Sequence, residues 1–138
     1  MIRQISIFAE NRKGAMFRIT KVLADADVNM NTLITNDSAE FGIIRMLVDD
    51  TDKAAGALRC AEYLCHVDHV AAAEISDECG SLSRLLEALD QGNISLDYLY
   101  VTYSTLSKRP VAIIKSVDLM EVEDFLRAQG FDMLNRLD

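Results

Sequence analysis

Histidine is nearly absent from this sequence: there are two, His66 and His69, both in one short segment. General acid–base catalysis therefore has little to draw on. No GxSxG elbow, P-loop lysine or dinucleotide fingerprint appears either, so the chain is read as a non-enzyme with no cofactor. Cysteine is scarce and odd in number, with three residues. That count argues against a disulfide framework and for a reducing cytoplasm. Cys60, Cys65, His66 and His69 gather in "CAEYLCHVDH". Zinc ligands are usually about two to four residues apart. Cys60 and Cys65 are wider than that, and the segment changes from helix to strand between them, so no metal is assigned. Cys60 is read as a small hydrophobe on or beside the helix stripe. Long apolar runs are missing too; "VAAA" at 70–73 is typical, which excludes a membrane-spanning helix. "MIRQISIF" has no long apolar core followed by a small-residue cleavage site, so no secretory signal is expected. With one proline and six glycines, nothing resembles a low-complexity tail.

Positive charge is also short. The net charge is −8, unevenly placed: residues 1–69 carry 8 Lys/Arg and 10 Asp/Glu, residues 70–138 carry 6 and 12. An acidic surface without a basic stripe repels phosphate backbones, so nucleic acid is excluded as a partner.

What the sequence has is an apolar half, enough for a core, arranged in periodic segments. "IRQISIF" alternates as a half-buried strand. From Ala15 the period lengthens, and Met16, Ile19, Val22, Leu23 and Ala26 form one helical stripe. "VNMNTLIT" and "FGIIRMLV" read as a hairpin across the polar turn "NDSAE". Asp50 or Thr51 caps a helix presenting Ala54, Ala57, Leu58, Ala61 and Leu64. A strand near Val67–Val70 closes the set. The second half repeats the order: strand "VAAAEIS", a stripe of Leu82, Leu85, Leu86 and Leu89, then hairpin "ISLDYLYVTY"/"VAIIKSV". Asp118 and Glu121 begin a capped helix with Leu119, Val122, Phe125 and Leu126; Gly130 ends it, and "FDMLNRL" is the last strand.

Residues 14–33 overlay residues 80–99 without a gap at an offset of 66, with Gly14/Gly80, Arg18/Arg84, Leu23/Leu89 and Leu33/Leu99 identical. The chain is read as an internal duplication, residues 1–69 and 70–138. Each half has the size of a βαββαβ unit: an α+β, ferredoxin-like antiparallel sheet with two helices on one face.

Both halves place a glycine where the first strand turns into the first helix. First-turn amides of a helix lack partners within it and carry partial positive charge. Glycine lets a ligand approach the main chain, so such a corner suits a carboxylate or phosphate. The plainer reading is a glycine that serves a tight turn and binds nothing.

The motifs "NRKGAM" with "VNM", and "DECGSL" with "ISL", resemble those of ACT domains, the regulatory modules of amino-acid biosynthetic enzymes. The resemblance covers the whole chain as two copies and is closest to small stand-alone tandem-ACT proteins of bacteria. It implies binding of a free amino acid between ACT units. Carried over by position, Asn11, Lys13, Gly14 and Ala15 line one corner, and Asp77, Cys79, Gly80 and Ser81 the other. Asn29, Asn31, Ser95 and Asp97 face them from strands. In this reading backbone amides and Lys13 hold the α-carboxylate, and Asp77 or Asp97 the α-ammonium. The family's usual proline before the glycine is Lys13 or Cys79 here, and its strand asparagine becomes Ser95 in the second copy, so the two sites are not expected to be equivalent. The resemblance also admits a partner enzyme.

Tyr98, Tyr100 and Tyr103 are a ligand wall or, more simply, cross-strand packing. Arg45 and Lys115 hold matching places and read as charges on a solvated edge. "GIIRMLV" and "YLYVTY" are apolar at both parities, more than a one-sided sheet requires, which points to a homodimer.

Overall fold

Alternation in the first segment and three-to-four spacing in the next produce the expected strand and helix. A computed structural model describes residues 1–10, 12–35 and 41–137. Among these, seven strands and four helices divide into two compact units, Arg3–Asp68 and His69–Asp138 with Met1–Ile2. The first unit contains β1 (Ile2–Glu10), α1 (Ala15–Asp25), β2 (Met30–Thr35), β3 (Phe41–Val48) and α2 (Thr51–Cys60). β4 (Leu64–Glu74) ends the first unit and begins the second, which continues through α3 (Ser81–Gln91), β5 (Tyr98–Tyr103), β6 (Pro110–Lys115), α4 (Leu119–Ala128) and β7 (Asp132–Met133).

Strand order is β2-β3-β1-β4 in the first unit and β5-β6-β4-β7 in the second, so the two sheets have one topology. β1/β3, β2/β3, β4/β6, β5/β6 and β4/β7 are antiparallel. Leu33 pairs with Met46 and Leu99 with Ile114. The second hairpin is therefore two residues longer, and the offset between copies grows from 66 to 68 beyond it.

The cores correspond residue by residue. Ile5, Ile7, Ile19, Leu23, Met46, Ala54 and Leu58 in the first match Ala71, Ala73, Leu85, Leu89, Ile114, Val122 and Leu126 in the second. Where β1 supplies two isoleucines, β4 supplies two alanines. Val122 replaces Ala54, and Phe125, at the place of Ala57, packs against the second core. Gly92 makes room for that ring: a Cβ there would lie 2.4 Å from Phe125 Cζ. Ala26 and Ala57 hold the matching places in the first unit, so the glycine–phenylalanine pair replaces an alanine–alanine pair.

All four helices end the same way. Asp27, Glu62, Asn93 and Gly130 take left-handed backbone conformations. The N–H groups of Val28, Tyr63, Ile94 and Phe131 return to the carbonyls of Leu23, Leu58, Leu89 and Leu126, closing a Schellman arrangement in each case.

Several details differ from the sequence reading. The strands expected around residues 67–70 and 70–76 are one strand, β4. Leu64 opens that strand, 70% exposed, because Glu62 has already stopped α2. Cys60 is exposed at the end of α2 instead of joining its apolar stripe. Met16 and Leu86 also leave their stripes and are exposed. Only Asp132 and Met133 of "FDMLNRL" form strand; the Leu137 carbonyl then accepts from the Ser104 hydroxyl at 3.0 Å, drawing the chain away from the ladder. Arg45 is half-buried on the interior strand β3, and Lys115 donates to the His69 carbonyl at 3.0 Å, so neither is a free edge charge. Tyr98 and Tyr100 stack on each other with centroids 6.4 Å apart, while Tyr103 is exposed. The turn "NDSAE" lies outside the described residues.

Candidate functional site

The four helices start in two different ways. α2 is capped by Asp50, whose carboxylate accepts from the Lys53 N–H, and α4 by Asp118, which accepts from the Glu121 N–H, each at 3.1 Å. Both also carry an acidic residue in the first turn. α1 and α3 begin at Gly14 and Gly80, with no side-chain cap and no acidic residue in the first turn. The positive ends of these two helix dipoles are therefore left uncompensated.

Each glycine occupies the third position of a type II turn. Gly14 has φ 82°, ψ 0° and Gly80 φ 89°, ψ −1°. The Ala15 N–H closes the first turn onto the Arg12 carbonyl at 3.1 Å, and the Ser81 N–H closes the second onto Glu78 at 3.2 Å. A type II turn needs positive φ at this residue and favours proline before it, which Lys13 and Cys79 replace. Helical bonding then starts at Arg18 N–H to Gly14 O and at Arg84 N–H to Gly80 O. The amides of Met16 and Phe17, and of Leu82 and Ser83, precede those bonds without a side-chain cap.

An arginine stands over each glycine. A Cβ on Gly14 would lie 3.0 Å from Arg18 Nη1, and one on Gly80 would lie 3.5 Å from Arg84 Nη1. Arg18 Nη1 also reaches the Lys13 carbonyl at 3.5 Å. Arg84 Nη2 instead contacts Ser81 Oγ at 3.3 Å and Glu78 Oε2 at 3.9 Å. Ser81 is buried and shares a 2.5 Å hydrogen bond with Ser76.

The first corner opens into a cleft of about 540 Å³ within its own unit. Phe8, Ala9, Ala15, Tyr63 and Leu64 supply its apolar wall, and Glu10, Arg12, Arg18 and Glu62 its charges. Arg12 is paired with Glu10. Glu62, whose counterpart is Gly130, holds φ +67°. A non-glycine residue in that region costs about 1–2 kcal/mol; Asp27 and Asn93 take the same conformation after α1 and α3.

Among residues proposed from the sequence, Lys13, Gly14 and Ala15 meet at the first corner, and Asp77, Cys79, Gly80 and Ser81 at the second. Asn11 lies outside the described residues. The strand group is elsewhere. Asn29 and Asn31 follow the far end of α1, whose 11 residues separate them from the corner by about 16 Å. The Asn29 N–H is held by Asp49 Oδ1 at 3.1 Å, the Ser95 carbonyl by Ser116 Oγ at 2.8 Å, and the Asp97 N–H by the Lys115 carbonyl at 2.8 Å. A single unit thus does not bring corner and strand start together. The sequence reading assigned none of Arg18, Glu62, Phe8, Tyr63 and Leu64 to a site and placed Leu64 on the α2 stripe; the Arg18/Arg84 identity was the available signal.

Residues 1–127 match the family described as an ACT domain pair. The chain belongs to this family. Solved structures bear out the fold of the ACT pair. The protein BT0572 from Bacteroides thetaiotaomicron is 27% identical, with a TM-score of 0.88, over 96% of this chain and 91% of that one. The ligand-free regulatory subunit of aspartate kinase from Thermus thermophilus is 15% identical, with a TM-score of 0.66, over 93% and 90%. The corresponding subunit from Thermus flavus is 13% identical, with a TM-score of 0.65, over 91% and 88%. A comparison with curated proteins gives no match. No described helix of this ACT pair is long and apolar enough to cross a membrane.

Proposed function

We propose that this ACT pair is a non-enzymatic regulator that binds a free amino acid with its α-carboxylate at the first corner. The observation carrying the reading is the bare start of α1, with Arg18 over Gly14 and a cleft in front. The amides of Met16 and Phe17 and the Arg18 guanidinium take the carboxylate, with charge-assisted hydrogen bonds stronger than neutral ones. Glu62 at the rim takes the ammonium. Phe8, Tyr63 and Leu64 favour an apolar side chain. A second copy of the chain brings Asn29 and Asn31 against the corner, because the helix keeps them away within one unit, and the working form is a homodimer. Ligand bridging the copies favours one relative arrangement, which a partner enzyme reads as a population shift. The subunit from Thermus thermophilus, which regulates aspartate kinase, supports a partner of that type.

Thermal unfolding in the presence of each of the twenty common amino acids, at millimolar concentration, tests the reading. An amino acid present at about 100 times its Kd adds about 2.7 kcal/mol to the stability of the folded chain. At least one apolar amino acid is expected to raise the melting temperature, and Arg18→Ala to abolish the rise. Twenty flat responses would contradict it.

A second reading is a regulatory subunit that needs no small molecule. Val117, 95% exposed, and the exposed Met120 and Leu106 of the second unit favour it as a protein-docking surface. Capture of the same partner with and without amino acids separates the two.

A further inference from the structure

In the first unit, every large apolar side chain that stands exposed among the described residues lies around one place. Phe8 and Leu64, 44% and 70% exposed, line the cleft of about 540 Å³. Met16 and the more exposed Phe17 sit in sequence between Ala15 and Arg18, which line it too. Ala9 and Tyr63 complete the apolar wall. Apolar residues scattered singly over a surface are ordinary, but gathered at the mouth of a cavity they mark a binding groove.

The duplication supplies an internal reference for this wall. At the places of Phe8, Phe17 and Leu64 the second unit carries Glu74, Ser83 and Asp132. Glu74 is paired there with Arg109 at 3.7 Å. Strand, turn and helix are the same in both units, so the fold itself does not require apolar residues at these three places. What remains to account for them is the occupant of the cleft.

We propose that this wall sets specificity: the cleft takes an amino acid with a bulky apolar side chain, branched or aromatic, which packs on Phe8 and Leu64. The inference rests on the reading of the first corner given above and adds the side-chain class to it. Clefts of about 300–1,000 Å³ enclose most of a bound ligand. Glycine or alanine would leave much of the space to water and the wall wet, whereas leucine, methionine or phenylalanine withdraws ligand and wall from water together. Each buried methylene tightens binding by about fourfold. Leucine, three carbons larger than alanine, should therefore bind roughly fiftyfold more tightly. The charges leave room for this division: Arg12 is paired with Glu10, and Arg18 and Glu62 serve the carboxylate and the ammonium, so the side chain falls to the apolar wall.

Calorimetric titration of the purified full chain with each of the twenty common amino acids, singly, tests this in wild type, Leu64→Asp and Phe8→Glu. Each variant installs the residue that the second unit carries at the same place, and either one reads the wall if the other fails to fold. Wild type is expected to bind leucine, methionine or phenylalanine at least tenfold more tightly than alanine. The variants should flatten that gain with side-chain size, whereas general damage to the site would weaken all amino acids alike. Alanine or a polar amino acid binding as tightly as the bulky apolar ones in wild type overturns the inference and leaves the corner reading standing. So does a size dependence that both variants leave unchanged. A wild-type dimer that Leu64→Asp splits in light scattering, with the affinity for leucine unaltered, would give the wall to a second copy and overturn the inference as well. Absence of heat with all twenty in wild type overturns the corner reading, and this inference with it.

Discussion

Alanine at Gly14 and at Gly80 probes the turns on which both corners depend. With φ of 82° and 89°, each glycine sits where an L-residue costs about 1–2 kcal/mol. Alanine also restricts the unfolded chain, which offsets about 0.4–1 kcal/mol. The net loss is then about 1 kcal/mol for each variant. The contacts add little: the new methyl meets Arg18 Nη1 at 3.0 Å in one turn and Arg84 Nη1 at 3.5 Å in the other, and both are ends of flexible side chains. Stability should therefore fall about equally, by about 0.5 M in urea midpoint for slopes of about 1–3 kcal/mol/M. Asparagine, which tolerates left-handed backbone better, should cost less than alanine at both sites. Function should divide the pair, because only Gly14→Ala pushes the guanidinium that faces the cleft. A Gly14→Ala midpoint equal to or above that of wild type would refute the type II turn and the corner built on it.

Two further outcomes follow from packing and charge. Gly92→Ala drives a methyl to within 2.4 Å of the Phe125 ring and should lose about 1–3 kcal/mol by overpacking; Phe125→Leu in the same chain should recover part of it, and additive losses in urea melts would count against the pairing. The Asp52 carboxyl titrates below its ordinary 3.8 because Arg3 hydrogen-bonds its charged form, at 2.5 Å. Its small contribution to stability is present above that ordinary value and is lost as pH falls towards the lowered one. Carbon-detected NMR titration should show the Asp52 midpoint rising when Arg3 is replaced by Gln, and an unmoved midpoint would remove the pair from the account.

Most of the fold was legible because duplication doubles every signal. The gapless overlay from Gly14 to Leu33, with Leu23 on Leu89 and Ile19 on Leu85, fixed helix faces twice, and both copies place the same positions in their cores. The corners were legible through their glycines. What stayed hidden depended on backbone choices that residue type does not announce. Glu62 stops α2 in a left-handed conformation that its copy entrusts to Gly130, so the apolar pattern ran on to Leu64, and a continuous β4 was read as two strands. Arg18 and Arg84 lie on the polar sides of their helices, where periodicity assigns them to solvent. Only the turn beneath them, bending Gly14 and Gly80 under each guanidinium, brings them into the corners. The strand group of Asn29 and Asn31 was read with the corner because the resemblance pairs them, whereas the length of α1 keeps them apart within one unit.

The central claim is that the uncapped start of α1 receives a carboxylate. Two-dimensional amide spectra of the labelled chain, titrated with each of the twenty amino acids, address it most directly. The account predicts that a binding amino acid moves the amides of residues 14–17 and leaves those of residues 80–83 in place; shifts confined to other parts of the chain, or none with any of the twenty, would contradict it.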